Sequence, residues 1–183
     1  MLKALLDRTI AGMETRWGYD AGYMRLVSDV NPATFLKFAV VTRLVDRRAV
    51  PAEALAAAVL VGTLAEDCGP CAQLSVDMAA DAGVSPTVLR AILAGQEAGM
   101  GDTAALAYRF AKGVLAHDVE ADEMRDEIVR RWGRKGLVSI AMAITTARMY
   151  PTLKFGLGFG KACVKVTVAG AAAPFERPVR LAA

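Results

Sequence analysis

Cys68 and Cys71 are separated by Gly69 and Pro70, and two thiols at that spacing can close a disulfide or share a redox reaction. The proline shapes their surroundings. It lacks an amide hydrogen and disfavours helical geometry in Gly69, so it forces a helix start between the two cysteines. Cys68 then lies just before a helix and Cys71 in its first turn. Free backbone N–H groups point outward there and favour an anion, so either thiol is placed for a lowered pKa. The thiolate is the reactive form, and the same placement favours nucleophilic chemistry. Ser75 is four residues beyond Cys71 and shares its helix face, where its hydroxyl could reach a Cys71 thiolate. Glu66 ends the preceding segment and is a candidate proton acceptor, although its negative charge opposes a low thiol pKa.

The segments that must hold this pair read as helices almost throughout. Leu2, Leu5, Leu6, Ile10 and Met13 recur at helical spacing from Met1 to about Trp17. A break follows at Trp17 to Ala21, then a short helix over Tyr23 to Val30. Asn31 and Pro32 start a helix expected to reach Arg47, with Phe35, Phe38, Ala39 and Leu44 on its apolar stripe. Pro51 opens an Ala/Val/Leu helix to Ala65. After the thiol step, a helix runs to about Ala82, where Gly83 ends it. Helices follow over Pro86–Ala94, Thr103–Ala116, Ala121–Trp132 and Lys135–Met149. Pro151 to Cys163 extends the last of these beyond a bend at Tyr150. Val164 to Val168 alternates like a strand, too short and isolated to imply a sheet. The residues from 169 to 183 read as a tail. The fold class is therefore an all-α bundle, in one domain spanning 1–183.

Composition narrows the function. The apolar fraction is 55%, which calls for either a membrane or a subunit interface. Ala54–Ala65 and Gly136–Ala147 are the longest uncharged stretches, and a membrane span needs roughly twenty residues. Buried helices in a homo-oligomer are the better expectation. Lys3, Asp7 and Arg8 interrupt the N-terminal apolar pattern, so no secretory leader is expected. Together with only three cysteines this points to a reducing cytoplasm rather than a disulfide framework. Net charge is +3, and the dense basic cluster at Arg130, Arg131, Arg134 and Lys135 reads as a solvated helix end without interleaved aromatics. Nucleic acid is not an expected partner. Gly156-Leu157-Gly158-Phe159-Gly160 lacks the spacing and flanking strand of a nucleotide loop, and no cofactor is expected. A zinc site would need His117 and Cys163 to converge on the pair. His117 reads instead as a helix-terminal surface residue and Cys163 as a packed one.

Cys-Gly-Pro-Cys also occurs in thioredoxins, where it follows a strand within a βαβ unit; no such pattern surrounds it here. The segment Glu66-Asp67-Cys68-Gly69-Pro70-Cys71-Ala72-Gln73-Leu74, between an Ala/Val/Leu helix and an amphipathic one, resembles the carboxymuconolactone decarboxylase/AhpD-like family. Ala79 to Gly83, Ser85-Pro86 and Ile92 to Gly95 fit the helix-turn-helix that comes next. The resemblance covers about residues 30–160. It implies an alkyl hydroperoxidase-type reaction in which Cys71 attacks a small hydroperoxide and Cys68 resolves the sulfenic acid into a disulfide. Another thiol protein would supply the electrons. The sequence departs from the family where its histidine and relay glutamate belong, at Ser75 and Ala56; Glu53 is one turn too early. Two other readings follow from that departure: a non-catalytic binding or assembly protein of the same fold, and a cofactor-free decarboxylase.

Overall fold

The computed structural model describes residues 1–160 and 165–175. Helix α1 spans Leu2–Trp17 and stops at Gly18, whose φ of 60° is the left-handed cap glycine adopts without strain. α2 spans Gly22–Val30 and α3 Pro32–Arg43, the latter capped by the Asn31 side chain accepting from the Thr34 amide. α4 is Ala52–Leu64, α5 Gly69–Asp81 and α6 Pro86–Leu93, with Ser85 capping α6. A short 3-10 turn at Glu97–Gly99 leads into α7, Gly101–Ala116. α8, Ala121–Gly156, is interrupted at Gly133, where φ 70° and ψ 177° break the helical path between the two segments expected there. Helices thus make up most of the described chain, as an all-α bundle.

α4 is the centre of the larger core. Nearly all its side chains are apolar and several are fully buried, so it packs on every side: against α7, α8 and α5. Small residues permit close approach. A Cβ on Gly62 would meet the Ile144 carbonyl oxygen at 2.9 Å. A second core joins α1, α2 and α3 through Leu6, Ile10, Tyr19, Tyr23, Met24 and Phe35, and receives Leu74 of α5 and Tyr150 and Leu153 of α8. Tyr108 and Phe110 of α7 are buried.

Four expectations are corrected. α3 ends at Arg43 rather than Arg47, because the Asp46 carboxylate accepts from the Arg48 amide and offers the backbone a turn in place of the helix. Leu44 is 64% exposed and lies off the buried stripe. Val166–Val168 does form a strand, β1, which pairs antiparallel with β2 at Ala171–Ala173, within the stretch read as a tail. The Gln73 carboxamide holds this hairpin against α5: its oxygen accepts from the Thr167 amide at 2.7 Å and its nitrogen donates to the Thr167 carbonyl at 3.1 Å. The last part of α8 passes through Pro151 but stops at Gly156, short of Cys163. Cys163 lies outside the described residues.

Among the described residues no helix is long and apolar enough to cross a membrane. The basic cluster is largely internally compensated. Arg130 and Arg131 pair with Glu127, and Lys135 pairs with Asp46 at 2.7 Å.

Candidate functional site

Cys68 and Cys71 are joined as a disulfide, with their Cα atoms 5.3 Å apart. The turn that brings them together begins at Asp67, a non-glycine residue with φ 49°, whose amide donates to the Leu64 carbonyl. Cys68 is the extended N-cap of α5, and its carbonyl accepts from the Ala72 amide at 2.9 Å. Pro70 occupies the first turn, where its missing amide leaves no intrahelical bond unmade. Cys71 therefore sits in the first turn, within the positive end of the helix dipole. Cys68 is 1% exposed and Cys71 6% exposed, so the pair is shielded from bulk water.

The two supporting residues expected from sequence have other partners. Ser75 donates to the Cys71 carbonyl within α5 at 2.9 Å, and its hydroxyl meets that of Thr63 in α4 at 3.3 Å. Glu66 is held by Arg148 of α8 and accepts from the Thr152 hydroxyl at 3.2 Å. Ala56 is buried in the α4 core, and the histidine, His117, is exposed as the left-handed C-cap of α7. Among the described residues no group of three or more His, Cys, Asp or Glu is arranged to hold a metal.

What reaches the pair instead is Tyr19, from the loop between α1 and α2. Its hydroxyl oxygen lies 3.6 Å from Cys71 Sγ, a hydrogen-bonding separation for the larger sulfur atom. Behind it, the Tyr23 hydroxyl is 3.1 Å away. The Lys154 amine of α8 stands over both rings, 4.8 Å from the Tyr19 centroid and 5.3 Å from that of Tyr23, and Lys154 is only 1% exposed. A desolvated cation over two electron-rich ring faces is a favourable arrangement. Burial pushes the Tyr19 phenol up to about 12, partly opposed by its bond to Tyr23. Tyr23 is pushed up as well, first by burial and then by the neighbouring Tyr19. Both phenols therefore keep their protons at neutral pH and act as donors.

A cleft of about 220 Å³ opens beside this arrangement, between Trp17, Tyr19 and Asp20 on one wall and Pro70, Gln73 and Leu74 on the other. Tyr19 belongs to both the cleft and the sulfur contact, so one side chain links the cleft to the disulfide. A wider depression of about 570 Å³, lined by Tyr108, Arg109 and Lys112 among others, includes no cysteine.

Tyr19 and Lys154 are the residues that sequence reading missed. One signal was present: Lys154 is a single cation between Leu153 and Phe155. The class these features define is an all-α helical bundle carrying a Cys-x-x-Cys disulfide at a helix start. Comparison with protein-family models, curated proteins and solved structures gives no match.

Proposed function

We propose that the protein is a thiol–disulfide oxidoreductase of the AhpD-like kind, in which Cys68 and Cys71 cycle between dithiol and disulfide while reducing a small organic hydroperoxide. The observation that carries this reading is a bonded, shielded cysteine pair at the N-terminus of α5, with a phenol on the Cys71 sulfur. In the forward step the Cys71 thiolate attacks the outer peroxide oxygen and the O–O bond breaks. The departing alkoxide takes a proton and leaves as alcohol. The Cys68 thiolate then attacks the sulfenic sulfur, the disulfide forms, and the hydroxyl group leaves as water after protonation. A dithiol protein returns the two electrons and restores the dithiol. A reducing, cytoplasmic setting fits this cycle and the low cysteine count.

The test is to reduce the protein, add one equivalent of cumene hydroperoxide and map peptides by mass spectrometry. A Cys68–Cys71 linkage with loss of two hydrogens is expected, together with turnover under a dithiol reductant. No linkage, or linkage without turnover across several reductants, overturns the peroxidase reading.

A second reading, a non-catalytic assembly protein, has one observation in its favour: Ser75 and Glu66 are committed to Cys71 O and Arg148 rather than to a proton relay. Leu36 and Val40 of α3 and Leu44 at its C-terminal cap, spaced four residues apart, are all exposed and suit self-association in either reading.

A further inference from the structure

Ser75, at the family's histidine position, donates to the Cys71 carbonyl, so the sulfur draws its polar partner from elsewhere in the fold. That partner is the Tyr19 hydroxyl, 52 residues away in sequence and 3.6 Å away in space. We propose that Tyr19 is a catalytic residue that holds the Cys71 thiolate by donating its phenol O–H to Sγ, with Tyr23 and Lys154 as positioning residues behind it.

The protonation of Tyr19 and two features of the geometry support the assignment. The Tyr19 phenol stays protonated far above neutral pH, so it serves as a donor and not as a base. Tyr23 is buried with no exposure, and its hydroxyl meets that of Tyr19 at 3.1 Å. When Tyr23 donates to Tyr19, the Tyr19 proton is left to point at the sulfur. Lys154 packs over both rings and fixes their faces. The other charged or titratable groups acting on the two phenols are Asp20, next to Tyr19 in the chain, and Tyr150 of α8, and both disfavour tyrosinate. On loss of its proton to solvent, Cys71 becomes an anion that accepts the Tyr19 O–H and faces the first-turn amides of α5. A hydrogen bond to an ionised acceptor is roughly twice as strong as one to a neutral acceptor, so the bond favours the thiolate over the thiol.

The role in turnover rests on the redox reading above, while the effect on Cys71 ionisation can be read without it. The experiment uses the full chain carrying Cys68→Ser and Cys163→Ser, so that Cys71 is the single thiol, and follows its titration by NMR of isotopically labelled cysteine. Adding Tyr19→Phe is expected to raise the Cys71 midpoint by about one pH unit, roughly a tenfold loss of thiolate at neutral pH. Tyr23→Phe is expected to shift it the same way by less. A Tyr19→Phe midpoint equal to that of its parent, with an unchanged thermal melt, overturns the assignment. If Tyr19→Phe does not fold, Tyr23→Phe decides, and no shift there overturns it equally. Absence of the Cys68–Cys71 linkage in the wild-type protein counts against the redox reading alone, because the midpoints are measured in protein that cannot form it.

Discussion

The two cores differ in the side chains they bury. Around α4 the interior is mostly Ala, Val, Leu and Ile, joined by Met100, Tyr108 and Phe110, and close contact between helices does the packing. Where α1, α2 and α3 meet α8, the interior contains Tyr19, Tyr23 and Lys154, each an apolar body with a polar tip. The thiol pair lies at the start of the helix that spans both, since Ala72 and Val76 enter the first core and Leu74 packs on the second. The largely aliphatic core gives rigidity, and the hydroxyl that meets the Cys71 sulfur, that of Tyr19, comes from the other core. The core with Tyr19, Tyr23 and Lys154 costs more to bury and presents a hydroxyl to the cysteine pair.

The sharpest way to break this contrast is Leu60→Ala. Leu60 is fully buried in α4, and truncation there should cost about 3 kcal/mol through lost burial and a residual cavity. Thermal unfolding should shift down by roughly 10 °C as one transition. A shift of only a degree or two would mean that α4 is not the centre of the fold.

Alkaline pH should act on the other core. Tyr19 is raised in the folded state above its unfolded value near 10, so its contribution is complete below about pH 10 and is lost as pH rises toward about 12. A loss of about 2 kcal/mol over that window is expected from this group. Tyrosinate absorbance should appear together with loss of near-UV dichroism. Ionisation near pH 10 in an intact fold would show that the tyrosines are accessible to water.

Asn31→Ala should have the smallest effect. It removes the cap on the Thr34 amide at the α2–α3 junction and should cost about 1 kcal/mol, seen as a lower urea midpoint with an unchanged slope. A fall of several kcal/mol would mean that this junction governs the whole molecule.

Helix starts were legible because local chemistry sets them. Asn31-Pro32, Pro51, Gly69-Pro70 and Ser85-Pro86 each begin a helix where the chain predicts one. The cysteine pair was legible for the same reason. The rest of the site was not, because it is tertiary. Tyr19 reaches Cys71 only once α1 and α2 fold onto α5, and Glu66 is drawn to Arg148 across 82 residues of chain. Neither contact leaves a periodic trace. Alternation did mark the first strand of the hairpin, but its partner is three alanines with no alternation to register, so no sheet was expected.

The Gln73 contact with that hairpin has a further effect. A two-stranded ribbon has open edges that can recruit strands from other molecules and seed aggregates. The Gln73 carboxamide matches both the amide and the carbonyl of Thr167, as a one-residue third strand would, and Arg90 takes the Val168 carbonyl at 2.9 Å. These two side chains of α5 and α6 blunt the outer edge of β1, so this short ribbon presents little there for a foreign strand to extend.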